Sequence, residues 1–308
     1  MGLILVCWPL LVADARLYYQ VFGMACLFGA LALAWNIHAL TGAISLGHAA
    51  FFGLGAYAAC LLEHYWHWPV WLAILVGPIA GAAYGLLWGL AFRRLRGAYF
   101  ALATLASVEL PKVVIDNWDS FTFGSIGLVG IPELPSVRLG QWELLNGGEP
   151  RGQYYLLLGF MLLLGWLHRC AMASRWGWAI RAVRENESTA SSIGINVFLT
   201  HLLTVSLSSY LTAICGALYA HLVGLIEPGL VFNLQHNSLM DQSKTDPSGD
   251  KANKAETYKT VSMVGYGAGA VFLVAGATMY LVGYSAGKTA VAPAVVAGGP
   301  GAVLVGTF

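Results

Sequence analysis

Long apolar runs separated by short charged clusters are the main pattern of this chain. The runs cover residues 17–37, 41–62, 68–91, 98–115, 154–167, 197–226 and 260–284. Most approach the roughly 20 residues that a helix needs to cross a bilayer. They are apolar on every side, whereas the strands of a membrane barrel alternate apolar and polar residues. The pattern predicts an all-α fold, a polytopic transmembrane helical bundle of about six to eight segments.

Composition agrees with a membrane protein and argues against several other classes. Hydrophobic residues make up 58% of the 308 residues and charged residues 10%, against roughly 25% charged residues in soluble domains. The net charge of +1 gives no reason to expect a nucleic-acid partner. The stretch GYSAGKT at 283–289 resembles a phosphate-binding loop, but Val282 stands where its first glycine is required. No catalytic residue, metal site or bound cofactor is therefore predicted for this chain.

Arginine clusters predict which loops face the cytoplasm. One cluster, Arg93, Arg94 and Arg96, follows the run 68–91, and more arginines lie in a charged island at 174–196. The connection at 116–152 instead holds five acidic residues and two arginines. Short loops rich in Lys and Arg stay on the cytoplasmic side of a membrane. Both arginine-rich loops are thus predicted to be cytoplasmic, and the acidic connection external.

The Gly-rich run 41–62 is the predicted lining of a translocation path. Its small residues allow close helix packing in lipid, and its glycines suit a helix that is broken or re-entrant beside a cavity. Ser45 and His48 lie in this run, and Glu109 lies in the run 98–115. Ionisable groups at membrane depth commonly mark a path. A packing role for His48, and an interhelical or water-exposed position for Glu109, remain alternatives.

The island at 174–196 has the pattern of a surface helix. An apolar stripe at helical spacing consists of Trp176, Ala179, Ile180 and Val183. The charged residues off this stripe are Arg181, Arg184 and Glu185. Gly194 is predicted to end a second short turn as a left-handed cap. Such a helix inserts its apolar face into a groove of a partner or lies on lipid headgroups, and the pattern leaves both open.

Three stretches carry a family resemblance: NIHALTGAISLGHAAFFGLGAY, GAYFALATLASVELPKVVIDNWDSFTFGSIGLVGIP and SRWGWAIRAVRENESTASSIGIN. From residue 17 to residue 234 the chain resembles the LivM-like membrane permease subunits of branched-chain amino-acid ABC transporters. In that family the loop that matches the island docks on an ATPase subunit. The resemblance implies that the coupling residues are Arg181, Arg184, Glu185, Asn186, Glu187, Ala190, Gly194, Ile195 and Asn196. It also implies a path lined by Ser45, His48 and Glu109.

The resemblance further implies an importer in the bacterial inner membrane, with the island in the cytoplasm. A periplasmic binding protein would deliver branched-chain amino acids or related small polar compounds to a heterodimer of this chain and a second permease subunit. Two ABC ATPase subunits would bind the ATP. This chain itself would contact membrane lipid and no cofactor.

The C-terminal part departs from the family pattern. Residues 1–234 are predicted to form the permease domain, 235–259 a polar linker, and 260–308 an atypical tail with one apolar span. Two further functions therefore stay open. One is a non-transporting membrane anchor or assembly protein with a permease-like remnant. The other is a secondary transporter that uses Glu109 as its proton carrier.

Overall fold

The computed structural model describes residues 16–95, 97–139, 142–232, 292–296 and 299–303. The start of the chain, the whole predicted polar linker 235–259 and the apolar run 260–284 lie outside these residues. Two units are distinguished, Met1–Ser238 and Leu239–Phe308. The first unit contains the three stretches that carry the family resemblance.

Helices make up most of the first unit, which confirms the predicted all-α class. The described helices are α1 (Arg16–Ala39), α2 (His48–Trp66), α3 (Val70–Val76), α4 (Ile79–Ala91), α5 (Ala98–Ala106), α6 (Glu109–Asn117), α7 (Asp119–Thr122), α8 (Pro150–Ala173), α9 (Arg175–Glu185), α10 (Glu187–Ser192), α11 (Val197–Val223) and α12 (Pro228–Phe232). The strands are β1 (Leu128–Val129), β2 (Val137–Leu139), β3 (Trp142–Leu145) and β4 (Leu225–Ile226). In the second unit β5 (Ala292–Val296) and β6 (Gly299–Val303) pair as an antiparallel hairpin.

Four helical stretches in the described part are long and apolar enough to cross a membrane: Tyr18–Ala39, Val70–Ala91, Pro150–Ala173 and Val197–Val223. The second consists of α3 and α4, joined at Gly77 and Pro78. The central helix α2, with 19 residues, is about 28 Å long, so it also approaches the bilayer core in length. The chain is a polytopic helical membrane bundle, as predicted.

The broken helix lies elsewhere than expected. In the Gly-rich run, residues 42–47 are mostly non-helical and α2 then continues without interruption from His48 to Trp66. The predicted span 98–115 is instead divided into α5 and α6. Pro111 lacks the N–H that would bond to the carbonyl of Ser107, four residues earlier. The Tyr84 hydroxyl on α4 donates to that carbonyl at 2.7 Å, so the break is stabilised by a neighbouring helix.

Helices α2 and α11 form the centre of the bundle and run in the same direction. They cross closely because Gly55 and Gly216 lack side chains at the contact. A Cβ on Gly55 would overlap the backbone of Ala213, and one on Gly216 would overlap the backbone of Phe52. In lipid, such small residues let helix backbones approach and gain packing energy.

The bundle has two distinct ends. The island, α9 and α10, lies at the end where α8 finishes and α11 begins. At the opposite end β1 pairs with β4, with Leu128 opposite Ile226. After β4, α12 turns back into the bundle, where Phe232 is 2% exposed and lies against Gly53 of α2.

Candidate functional site

The island consists of two helices joined by a sharp turn at Asn186. This residue has an extended backbone, with φ −160° and ψ 112°. Its side-chain oxygen accepts hydrogen bonds from the N–H groups of Ser188 at 2.9 Å and Thr189 at 3.1 Å. Such capping satisfies two N–H groups that have no partner within the helix. Asn186 therefore ends α9 and starts α10.

The end of α10 is capped as the sequence predicted. Gly194 has a φ of +87°, a left-handed conformation that glycine adopts at little cost. The N–H of Ile195 donates to the carbonyl of Ala190 at 3.0 Å, which is the hydrogen bond of a Schellman cap. Asn196 then accepts a bond from the N–H of Leu199 at 3.0 Å and begins α11. These residues shape the loop through their backbone and caps.

The apolar stripe of the island faces the bundle of this same chain. Ile180 is 0% exposed and Val183 is 2% exposed, and Ala190 on α10 is equally buried. Trp176 and Ala179 are partly buried, and α9 packs on α8 and α11. The expectation that this stripe enters a partner's groove or rests on lipid is therefore wrong. Any docking partner meets the opposite face.

That opposite face combines exposed apolar and charged side chains. Trp178 is 67% exposed and Ile193 is 70% exposed, and Arg184 and Glu185 are also exposed. Aromatic residues and arginine are the types most often found at the centre of protein interfaces. We call this face, Trp178, Arg184, Glu185 and Ile193, the docking face.

Arg181 has a structural position within the island. Its Nη2 donates to the carbonyl of Met172 at 2.6 Å, and its Nε donates to the carbonyl of Gly177 at 3.2 Å. The guanidinium carbon also lies 4.6 Å from the ring centroid of Trp178, within the range of a cation–π interaction. Arg181 thus connects the end of α8 to α9 and positions the exposed tryptophan.

Two contacts connect the island to the central helices. Glu187 Oε1 lies 3.6 Å from His201 Nε2 on α11. Arg184 lies against Gly42, in the segment before α2, where an added Cβ would be 3.7 Å from the arginine Cγ. A displacement of the island would therefore act on the beginnings of both α2 and α11.

Ser45 and His48, two of the predicted path residues, lie together in a buried cluster near the island. Ser45 is 2% exposed and His48 is 8% exposed. The imidazole Nδ1 lies 3.1 Å from Ser45 Oγ, and Nε2 lies 2.9 Å from Ser208 Oγ on α11. His48 therefore joins α2 to α11 by a fully buried hydrogen-bond chain.

The hydrogen-bond partners assign the protons in this chain. Ser208 Oγ donates to the carbonyl of Ala34 at 2.7 Å, so it accepts from the Nε2–H of His48. A neutral imidazole then has a lone pair on Nδ1, which accepts from Ser45 Oγ–H. Ser45 Oγ in turn accepts from the N–H of Gly47 at 3.3 Å. The chain is satisfied with a neutral histidine, and it joins α1, α2 and α11.

His38 belongs to the same cluster, although no sequence pattern predicted a role for it. It is 2% exposed, and its Nδ1 lies 3.4 Å from Thr204 Oγ1. Its ring centroid is 6.3 Å from that of His48 and 5.9 Å from that of Phe100 on α5. His38 Nε2 is buried and has no hydrogen-bond partner among the described residues.

The spacing of hydroxyl residues in the sequence could have identified the residues of α11 that belong to this cluster. Hydroxyl residues recur every four positions along this helix, which carries no charge, and all are buried: Thr200, Thr204, Ser208 and Thr212. Residues four apart lie on one face of a helix. The polar stripe therefore indicates the side of α11 that faces α1 and α2.

Glu109 is not brought to the cluster. Its side chain is 61% exposed, and its Oε2 lies 3.7 Å from Lys112 Nζ. The carboxylate that is buried in the described part of the bundle is that of Glu63, 7% exposed. His221 is 1% exposed and lies beside Glu63.

Comparison with known proteins agrees with this architecture. Residues 17–239 match the family described as branched-chain amino acid transport system, permease component. The LivM permease protein of Salmonella typhimurium is 27% identical over 73% of this chain and 57% of its own length. The LivH permease protein of Escherichia coli is 25% identical over 64% and 67% of the respective lengths. A nucleoside permease protein, NupC of Lactococcus lactis, is 28% identical over 50% and 49%.

The chain spans about 57% of the length of the LivM relative that it matches, and no solved structure matches it. The matched residues include the island, the buried cluster and the four membrane-crossing helical stretches of the described residues. The chain belongs to the permease-component family of branched-chain amino acid transport systems.

Proposed function

We propose that this chain is a permease subunit of an ABC importer in the bacterial inner membrane. Its cargo would be branched-chain amino acids or related small polar compounds. The observation that carries the proposal is the docking face, an exposed surface of Trp178, Arg184, Glu185 and Ile193 on helices whose other face is packed on the bundle. An ATPase subunit docks there in the cytoplasm, and the two separate ATPase subunits of the complex bind the ATP.

The contacts of the island suggest how such docking acts on the path. Movement of α9 and α10 is passed to α11 through Glu187 and His201, and to the segment before α2 through Arg184 and Gly42. The His48–Ser208 hydrogen bond joins the same two helices a short distance further in. Alternating access needs an element with two arrangements that the energy source biases. The α2–α11 pair, with its buried hydroxyl groups, is that element in this proposal.

The relatives support the remaining partners. LivM and LivH of Escherichia coli are two different permease proteins, and both resemble this chain. A heterodimer with a second permease subunit, supplied by a periplasmic binding protein, is therefore part of the proposal. The similarity to a nucleoside permease favours nucleosides as the second candidate cargo.

Co-purification tests the docking face. Trp178→Ala should reduce recovery of the ATPase subunits about tenfold or more, because a central aromatic side chain carries much of an interface's affinity. Trp166→Ala is the matched control, since Trp166 on α8 is 62% exposed but lies along a predicted membrane span. Equal ATPase recovery with both variants would refute docking on this face.

Reconstitution tests transport. In proteoliposomes with the second permease, the binding protein and the ATPases, we expect ATP-dependent leucine uptake that excess isoleucine or valine suppresses. Suppression by a nucleoside would instead favour the second cargo. Replacing Arg184 and Glu187 together by alanine should leave ATP hydrolysis and abolish uptake. Uptake that persists without ATP and follows a proton gradient would overturn the ABC importer assignment.

A further inference from the structure

Glu63 and His221 face each other inside the bundle at the end opposite the island. The side chains are 6% and 0% exposed, and Glu63 Oε1 lies 3.4 Å from His221 Nε2. Glu63 is on α2 and His221 is on α11, about four helical turns from the His48–Ser208 contact. The pair therefore joins the same two helices a second time.

The backbone carbonyl of Pro132 determines which imidazole nitrogen carries a proton. His221 Nδ1 lies 3.0 Å from the carbonyl oxygen of Pro132, and a carbonyl can only accept. Nδ1 therefore carries a hydrogen. In a neutral imidazole the other nitrogen, Nε2, then has only a lone pair. That nitrogen lies 3.4 Å from Glu63 Oε1.

Two acceptors cannot stably face each other at this depth. Neither Glu63 oxygen accepts a hydrogen bond from any residue in the described part of the chain, and His221 Nε2 also has no such partner. Leaving buried acceptors unsatisfied costs free energy, and an unpaired buried carboxylate costs more. One added proton removes the conflict, either as an imidazolium beside a carboxylate or as a carboxylic acid that donates to Nε2.

We propose that Glu63 and His221 form a proton-binding site, which holds one proton while α2, α11 and the segment at Pro132 are packed together. Removing the proton leaves a carboxylate against a lone pair and favours separation of these three elements. The ligand is a proton, and the site is independent of the cargo and of the ATPase contact.

The surrounding elements carry other titratable groups. At this end of the bundle these are Tyr57, Cys60 and His64 on α2, Tyr219 on α11, Lys112 and Asp116 on α6, Glu133 beside Pro132, Glu227 after β4, and Arg16 and Tyr19 at the start of α1. Lys112 is paired with Glu109 at 3.7 Å. His221 is an ionisable residue within ion-pair distance of Glu63, with its Nε2 3.4 Å from Glu63 Oε1. The positive partner is therefore His221 itself.

Separation of the pair should release the proton at neutral and alkaline pH. In water, glutamate and histidine titrate near pH 4.3 and pH 6.5, so the separated pair holds almost no proton above about pH 7. The packed pair holds one. Above about pH 7, the equilibrium between the packed and separated states then shifts toward separation by about tenfold for each pH unit. Below about pH 6 the separated histidine is also protonated, and this dependence disappears.

Thermal unfolding of the full chain in lipid nanodiscs, followed from about pH 6 to pH 9, tests the site. Glu63→Gln replaces the carboxylate by a neutral amide that donates to Nε2 without a titrating proton. We expect the melting temperature of the wild type to fall relative to that of Glu63→Gln as the pH rises. Glu133→Gln, an exposed carboxylate beside Pro132, is the matched control and should follow the wild type. Parallel curves for the wild type and Glu63→Gln would overturn the proposal.

A local measurement separates this end from the rest of the chain. Cys60 is a free buried thiol one turn from Glu63, so its alkylation by a neutral maleimide reports opening there. Labelling of Cys60, normalised to the denatured chain at each pH, should rise with pH about tenfold per unit in the wild type and stay constant in Glu63→Gln. A pH-independent rate in the wild type would overturn the proposal. If Glu63→Gln does not fold, the double variant Glu63→Leu with His221→Leu, which has no titrating group at this site, provides the same test.

The outcome is distinguishable from that of the proposed function. Glu63→Gln should recover the ATPase subunits as well as the wild type does, because Glu63 lies at the end opposite the docking face. Conversely, Trp178→Ala should lose ATPase binding while its melting temperature and Cys60 labelling keep the pH dependence of the wild type. This result would support the docking face and the proton site independently of each other.

Discussion

The two polar contacts between α2 and α11 differ in their chemistry although they join the same helices. Near the island, His48 and Ser208 form part of a chain in which each hydrogen has an acceptor. At the other end, Glu63 and His221 are equally buried, but their facing atoms have no hydrogen-bond partner in the described residues. Between them, Gly55 and Gly216 hold the two helices close.

Buried polar groups therefore have two different roles in this one helix pair. A satisfied neutral chain stabilises one arrangement at all moderate pH values, because none of its members needs to change protonation. A buried charged pair stabilises a protein little more than apolar residues of similar size would. Removing one partner of the pair is nevertheless costly. The His48–Ser208 contact is therefore suited to holding the helices rigidly together, and the Glu63–His221 contact is suited to a response to pH.

The largest expected effect comes from separating both contacts at once. Gly216→Val places side-chain atoms where the backbone of Phe52 lies, and backbone cannot yield as a side chain does. We expect a loss of more than about 3 kcal/mol of stability, or no folded protein. Gly159→Ala on α8, with nothing within 4 Å of the added Cβ, should melt like the wild type. If Gly216→Val melted at the wild-type temperature, the close approach of α2 and α11 at Gly216 would not be what keeps the two polar contacts together.

Breaking the charged contact alone ranks second. Glu63→Leu leaves His221 without its partner and should destabilise the protein by about 3–5 kcal/mol, measured by thermal or denaturant unfolding. The double variant with His221→Leu should recover most of this loss, because an apolar pair needs no partner. Additive losses in the double variant would mean that the two side chains do not interact.

Breaking the neutral contact should have a smaller effect. Ser208→Ala removes the acceptor of the His48 Nε2–H and should cost about 1–3 kcal/mol. The loss should be the same at pH 7 and pH 9, in contrast to variants of Glu63. Ser206→Ala, at a half-buried hydroxyl on the same helix, is the control. A loss that changes strongly with pH would contradict a neutral hydrogen-bond chain.

The smallest effect is expected for the exposed carboxylate on α6. Glu109→Gln weakens an ion pair whose glutamate is 61% exposed, and exposed pairs contribute about 0–1 kcal/mol. Unfolding should therefore change little, and its pH dependence should match the wild type. A loss comparable to that of Glu63→Leu would place Glu109 in a buried contact after all.

Much of the fold follows from local pattern. Uncharged apolar runs predicted the membrane-crossing helices, and Gly194 predicted the end of α10 because a left-handed cap is a local backbone property. Ser45 and His48 were also noticed, since polar groups in a Gly-rich apolar run are conspicuous, and their role in a translocation path stays a prediction. The spacing of the hydroxyl residues on α11 would have added Thr204 and Ser208.

Other features depend on neighbours far away in the chain. The apolar stripe of the island was correctly located, but its partner is α8 and α11 of the same chain rather than another protein. The break at residues 107–108 needs Tyr84 to bind the carbonyl of Ser107. Glu109 and Glu63 both interrupt apolar runs, and only the packing shows that the first is exposed and the second buried.

The hydrophobic pattern and the helix caps act over a few residues, so the amino-acid order was enough to predict a helical membrane bundle with a charged island between its apolar spans. Which polar residues meet depends on how the helices pack. Helix periodicity limits each side chain to a face, but it does not say which helix lies opposite, nor at what height. Contacts such as His48 with Ser208 and Glu63 with His221 join residues about 160 positions apart, and they exist because two glycines let α2 and α11 pack in one register.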